Sequence, residues 1–189
     1  MDRDRIEQGV RLILEGIGED LAREGLMETP RRVADLYEEV LDGIGCDLKT
    51  LVQPMASDTH QELVLIRDIP FFSICEHHLV PFFGVAHVGY IPSKGGGIAG
   101  LSKLARLVKM AAARLQLQER LTSEIADTVV HTLEPAGVLV LIQAEHLCMS
   151  MRGVRTVGSL TVTSAVRGVC RSSAATRAEV LALIDAPRS

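Results

Sequence analysis

Hydrophobic periodicity changes more than once along this chain, and the order of those changes restricts the fold more than any single residue does. Ile6, Val10, Ile13, Leu14, Ile17 and Leu21 recur at three- and four-residue steps with charged residues between them, which predicts a helix that Gly25 would end. Thr29 and Pro30 supply a hydroxyl N-cap followed by proline at the first helical position, opening a second helix with the stripe Val33, Leu36, Tyr37, Val40 and Leu41. After a looser stretch from about 46 to 61 the texture becomes β-rich at 63–66 and 85–91, with Pro70, Pro81 and Gly84 as separators. Residues 93–97 carry three consecutive glycines and are expected to form a flexible loop. Leu104, Leu107, Val108 and Ala111 predict one helix, and Leu121, Ile125, Val129 and Leu133 another. Strands return at 137–143 and 159–166, and Thr176 with Glu179 has the capping-box spacing of a short closing helix. Strands, paired helices and strands again predict an α+β fold, an antiparallel sheet with two helices on one face. The 189 residues fit one domain overall, with an N-terminal helical segment over 1–45 and an α+β region over 46–189.

Composition excludes several classes of partner. A net charge of −4 and a pI near 5.9 are not the chain-wide basic footprint of a nucleic-acid binder, and 3% aromatics without tryptophan offer few stacking platforms. No apolar run approaches the ~18 residues of a membrane span, and the charged start lacks the apolar core of a signal peptide. Cys46, Cys75, Cys148 and Cys170 show no tight disulfide spacing, so a cytoplasmic protein with reduced thiols is expected.

A domain of this length buries enough surface to fold without metal or disulfide, so four cysteines and six histidines invite a chemical reading. Cys75 and His78 stand three apart in Cys75-Glu76-His77-His78, a spacing that lets one turn bring thiolate and imidazole to one metal. Cys148 ends a second polar cluster, and on an extended strand it would share a face with His146. If the two strand ends meet, Cys75, His78 and Cys148 make a Cys2His set, which leaves the fourth zinc position to water as catalytic sites do. His77 and His146 remain as proton carriers. Buried thiols and packed imidazoles would account for the same letters, and His60, His87 and His131 have no partners in sequence and read in that way. Ser102, Lys103 and Arg106 open a helix after the glycine loop, where free N–H groups, a positive dipole end and two cations suit a phosphate. Residues 116–120 read equally well as a polar helix face, and Arg152 is the cation nearest Cys148.

In this order, the stretches Glu28-Thr-Pro-Arg-Arg-Val-Ala, Cys75-Glu-His-His-Leu-Val-Pro-Phe, Gly100-Leu-Ser-Lys-Leu-Ala-Arg, Gln116-Leu-Gln-Glu-Arg-Leu-Thr and His146-Leu-Cys-Met-Ser-Met-Arg-Gly closely resemble the GTP cyclohydrolase I family, from about residue 28 to 184. The resemblance implies conversion of GTP and water to 7,8-dihydroneopterin triphosphate and formate, the first step of folate or related pterin synthesis. It places zinc on Cys75, His78 and Cys148, the catalytic histidines on His77 and His146, and a proton carrier on Ser102. Gln118 and Glu119 fall on the positions that hold guanine, and Lys103, Arg106 and Arg152 near ribose and triphosphate. Arg32 is counted with the substrate contacts, although Asp35 stands where some members carry lysine. The family's tunnelling fold is a four-stranded antiparallel sheet with two helices on one face. Its members are typically homodecamers of two pentamers with active sites between subunits. The glycine loop is longer here than usual, and Cys170 replaces a common phenylalanine. Two other readings share the resemblance: the nitrile oxidoreductase of the queuosine pathway, which has the same fold but uses a cysteine nucleophile, and a non-catalytic GTP- or pterin-binding relative. The second Cys/His cluster favours the metal enzyme.

Overall fold

A computed structural model describes residues 1–56 and 61–187. The chain begins with helix α1 (Arg3–Gly16) and helix α2 (Thr29–Val40), which pack on one another. The first helix stops earlier than its apolar spacing predicts, because Ile17 caps it and Gly18 turns the chain at φ +87°. The second starts one residue ahead of expectation: Glu28 is its cap and Thr29 its first residue, with Thr29 Oγ1 donating to the Gly25 carbonyl instead. A 3-10 turn (Leu48–Leu51) and strand β1 (Pro54–Ala56) occupy the stretch that looked irregular. His60 lies outside the described residues.

Strand β2 (Val64–Cys75) and strand β3 (Pro81–Ile91) pair antiparallel over nearly their whole lengths. Pro70 does not divide β2. It sits opposite Val85 on a strand whose other side is paired only at Ile74 and Cys75, so its missing N–H breaks no ladder. Strand β4 (Gly97–Ala99) pairs with β1, so the glycine-rich segment ends in regular structure. Helix α3 (Leu101–Ala112), the two-residue strand β5 (Leu115–Gln116) and helix α4 (Gln118–Leu133) follow. Next come strand β6 (Gly137–His146), the single turn α5 (Leu147–Ser150) and strand β7 (Thr161–Gly168). The turn α6 (Val169–Ser172) and helix α7 (Ala174–Asp185) complete the fold. Ser173, not Thr176, caps α7, its hydroxyl accepting the Thr176 N–H.

The main sheet has the order β5-β2-β3-β6-β7. Its four long strands are antiparallel, as expected, and the addition is β5, which runs parallel to β2 and pairs Gln116 with Cys75. Strand β6 is buried on both faces. Val138, Val140, Ile142 and Ala144 pack with Leu104, Leu107, Leu121, Ile125 and Val129 of α3 and α4. Leu139 and Leu141 point the other way, against Cys170, Val180 and Ile184. Helices therefore cover part of the second face as well, a correction to the one-faced expectation; the unbroken apolar run of residues 138–142 is the sequence mark of such a strand. None of the described helices is long and apolar enough to cross a membrane.

One buried histidine belongs to this framework. The β2–β3 register shifts between Ile66 and Ile69, and Asp68 in that bulge has φ +60°. Its N–H donates to Nδ1 of His87, which is 3% exposed, at 3.2 Å. Arg67 beside it donates to the carbonyls of Leu183 and Ala186 and so ties down the end of α7. Burial lowers the His87 pKa from its ordinary value near 6.5; Asp68 and Asp185 oppose the shift and Arg67 adds to it. The unfolded chain therefore binds the extra proton more readily, so the stability from this site is complete above about pH 6.5 and falls as pH drops toward the lowered folded value. Asparagine can offer Oδ1 where His87 offers Nδ1 without titrating. In urea unfolding at pH 7 and pH 5.5, His87→Asn should lose less stability on acidification than wild type, and equal losses would reject the assignment.

Candidate active site

The site grows from the end of β2. Within residues 75–80 the Cys75 N–H donates to the Val80 carbonyl and the Leu79 N–H to the Cys75 carbonyl, both at 2.9 Å, with Leu79 at φ +54°. This tight turn folds His78 back over Cys75, leaving Nδ1 of His78 3.9 Å from the Cys75 sulfur. Two such ligands on one tetrahedral zinc would stand roughly 3.6 Å apart, so the pair fits a metal with little adjustment. One donor atom from each of Cys75, His77 and His78 lies within 4.8 Å of the others, with Cys75 buried and both imidazoles exposed. A thiol with two imidazoles is a borderline-soft donor set, of the kind that takes zinc.

The second cluster departs from its sequence reading. His146 is the last residue of β6, but Cys148 lies in α5, so the two do not share a strand face. Positions two apart on a helical turn diverge, and the side chains here find different partners. Burial, then the neighbouring Cys75, raises the Cys148 pKa, while Arg152 acts in the opposite direction. Cys148 is thus a neighbour of Cys75, while the donor atoms that lie within 4.8 Å of one another are those of Cys75, His77 and His78. Arg152 Nη1 lies 3.5 Å from Nε2 of His78, which sets a cation at the rim of the cluster.

His146 is held by its face and by one nitrogen. Its ring stacks on Phe82 with centroids 4.6 Å apart and planes 4° from parallel, and its Nε2 is 2.7 Å from Oε1 of Gln118. Burial lowers its pKa, and the nearby Glu119 carboxylate opposes that shift. Glu119 is exposed in the first turn of α4. Gln118 is not. It is 1% exposed, and its Nε2 faces the Ile142 and Thr161 carbonyls and Thr163 Oγ1. The resemblance put this side chain on guanine, whereas here its amide is turned inward and engaged by the protein.

The parallel pairing of β5 brings a second polar system beside the metal turn, and residues 116–120 proved more than a solvated face. Gln116, 1% exposed, donates to the Ala111 carbonyl and to Glu124, and accepts from Nε of Arg120. Arg120 in turn pairs with Glu76 and donates to the Leu115 carbonyl, while the Glu76 N–H donates to the Gln116 carbonyl. Gln116, Arg120 and Phe82 fall inside the quoted family-like stretches without an assigned role; the Arg120–Glu76 pair and the Phe82–His146 stack join segments distant in the chain, which spacing alone does not show.

The basic group at the start of α3 lies elsewhere. The Ser73 hydroxyl, two residues before Cys75, donates to the carbonyl of Ala112 at the far end of that helix. Ala99, just before α3, donates its N–H to the hydroxyl of Tyr90, which pairs with Val64 at the opposite end of β2. Val64 and Cys75 are separated by about 35 Å of strand. Ser102, Lys103 and Arg106, all exposed, thus approach the other end of the sheet from the Cys75 cluster of the same chain. Arg32 is exposed on α2, and Asp35 is engaged by Arg3 and Arg31.

The sequence profile of the GTP cyclohydrolase I family matches residues 6–185. Among curated proteins, GTP cyclohydrolase 1 of Halalkalibacterium halodurans is 61% identical over 184 residues, covering 97% of each chain. The enzyme of that name from Caldanaerobacter subterraneus is 57% identical over 188 residues and all of both chains. That from Bacillus subtilis is 59% identical over 181 residues and 96% of each chain.

If Arg120 braces the metal turn through Glu76, then Arg120→Met should speed hydrogen exchange at the Leu79 amide relative to amides in the middle of β3. Unchanged protection there would mean that the turn holds without the ion pair.

Proposed function

The chain belongs to the GTP cyclohydrolase I family, and on that footing we propose how its residues convert GTP and water to 7,8-dihydroneopterin triphosphate and formate. The observation that carries the reading is the gathering of Cys75, His77 and His78 donor atoms within 4.8 Å of one another in the turn after β2, with Cys148 near enough for Cys75 to act on its pKa. Cys75, His78 and Cys148 hold the metal, which their thiolate and imidazole donors suit as zinc. When bound, zinc acidifies water and so supplies a nucleophile near neutral pH.

The protein's own groups do the rest. His146 protonates N7 of the purine and thereby makes C8 electrophilic. Its fixed ring favours this role, since a proton donor must be held in line with its acceptor. The exposed Glu119 carboxylate accepts from N1–H and the exocyclic amine of guanine, a paired contact that adenine cannot return. His77, exposed beside the metal ligands, carries protons during the later ribose rearrangement, together with Ser102. Lys103, Arg106, Arg152 and Arg32 meet the ribose and triphosphate.

Ser102, Lys103 and Arg106 reach a Cys75 centre when another copy of the chain supplies them, and this supports a homo-oligomeric enzyme. Strand β7 lies at the edge of the sheet with Leu160 and Val162 60% and 55% exposed nearby, an edge suited to a second copy. The reading takes the assembly as a tunnelling-fold decamer of two pentamers, as the resemblance implies, and places it in the cytoplasm, where GTP is found. No nucleic acid or membrane enters this reading.

Two measurements test the assignment. Metal analysis of purified variants should find Cys148→Ala and His78→Ala depleted of metal and inactive, and His77→Ala still loaded. The reverse for Cys148 and His77 would make the ligand set Cys75, His77 and His78. Glu119→Ala should raise KM for GTP by about 10- to 100-fold, the range expected when hydrogen bonds to a charged group are lost. An unchanged KM with an unchanged rate would remove Glu119 from the guanine site.

A further inference from the structure

The surroundings of Gln118 determine more than its burial. Ile142 and Thr161 present carbonyl oxygens to its Nε2 at 3.2 and 3.0 Å, and a carbonyl can only accept. The NH2 group must therefore face them, which turns Oε1 toward His146. The neighbouring hydroxyls keep it so. Thr122 Oγ1 donates to the Gln118 backbone carbonyl at 2.6 Å, so at its 2.7 Å contact with Thr163 it is the acceptor. Thr163 then has its oxygen lone pairs free to receive the Gln118 amide at 3.1 Å. Amide, Thr163, Thr122 and the Gln118 carbonyl form a closed ring with one direction of donation. Rotating the amide would place oxygen against two carbonyls.

Oε1 of Gln118 and Nε2 of His146 are 2.7 Å apart, and an oxygen with only lone pairs to offer requires a hydrogen on that nitrogen. Neutral His146 is thus the Nε2–H tautomer, and Nδ1 is left as the ring position that exchanges a proton with substrate. The parallel stack on Phe82, itself fully buried, opposes rotation of the ring out of this setting. We infer that Gln118 is a positioning residue of the reaction: it holds the His146 imidazole by Nε2 so that Nδ1 faces the purine, and it does not read the guanine base. This rests on the reading of His146 as the proton donor.

The two roles differ in steady-state kinetics. Gln118→Met removes the acceptor at similar volume, and should lower kcat for GTP by about 10- to 100-fold, part of what a positioned acid contributes. KM for GTP and metal content should stay within about twofold, because the guanine contacts and the metal ligands remain in place. A raised KM with preserved kcat would overturn the inference in favour of base reading. Gln118→Glu, as a protonated carboxyl, still offers an oxygen to Nε2–H and an O–H to the carbonyls, and should recover much of the lost kcat; recovery no better than Met would count against it. The Met substitution is also made in a His146→Ala protein. There it should cause little further loss, since a group acting through His146 has nothing left to position. An equal fractional loss in both backgrounds would assign Gln118 a merely structural role. Should Gln118→Met fail to fold, Thr163→Val decides the matter: a several-fold lower kcat at unchanged KM supports the inference, and an unchanged kcat rejects it. His146→Ala itself separates this idea from its premise, because full turnover in that variant would overturn the role of His146 and not the geometry of Gln118.

Discussion

The antiparallel register of β3 against β6 is the constraint on which the site depends. Phe82 stands opposite His146 and Tyr90 opposite Val138, so a single ladder aligns the His146 imidazole with its stacking partner at one end and the core at the other. Strand side chains alternate faces, so a slip of one residue would turn Val138, Val140 and Ile142 away from α3 and α4 and move His146 off Phe82 together. The burial of an apolar face thus sets a chemical distance. Since both faces of β6 are packed, no neighbouring register is available without exposing one core or the other.

On this frame sits an unusual amount of buried polar chemistry. Gln116 and Gln118 flank the turn from β5 into α4, are both almost fully buried, and face different halves of the site. Each is fully engaged, and among the described residues no buried side-chain polar atom lacks a partner. Such networks are costly when incomplete and directional when complete, because a buried amide has only one orientation that satisfies all its neighbours. The metal turn and the histidine are in consequence held from the same short segment, through Arg120 and Glu76 on one side and through Gln118 on the other.

The cations at the start of α3 pose a different problem. The start of α3 and the Cys75 cluster lie at opposite ends of a long sheet, so one copy divides the chemistry from the charge. A second copy that set its own α3 start against the Cys75 cluster would rejoin the two. Among the described residues β7 is an edge strand, the kind of row of backbone groups that a further strand can pair with. A net charge of −4 is then no obstacle to binding a polyanion, because the local arrangement of a few cations outweighs the total.

Local spacing by itself determined the fold class and the cysteine–histidine turn at 75–78 that could hold a metal: the alternation of helical and strand periods, and two donors three residues apart. These are short-range facts, set by the repeat of the helix, the strand and the turn. Pro70, the glycine loop and the first helix were read less well, because a proline is tolerated on a sparsely paired strand and glycine–glycine segments pair when a partner strand arrives. Only the tertiary structure decided that Cys148 leaves the strand for a helical turn while His146 stays on it. It alone decided that Gln118 turns inward to an imidazole, and that Ser102 and Lys103 sit far from the metal turn of their own chain. The physical reason is common to all three. Which acceptor a donor meets, and which nitrogen keeps its proton, depends on groups that are remote in sequence and come together only when the sheet closes its register.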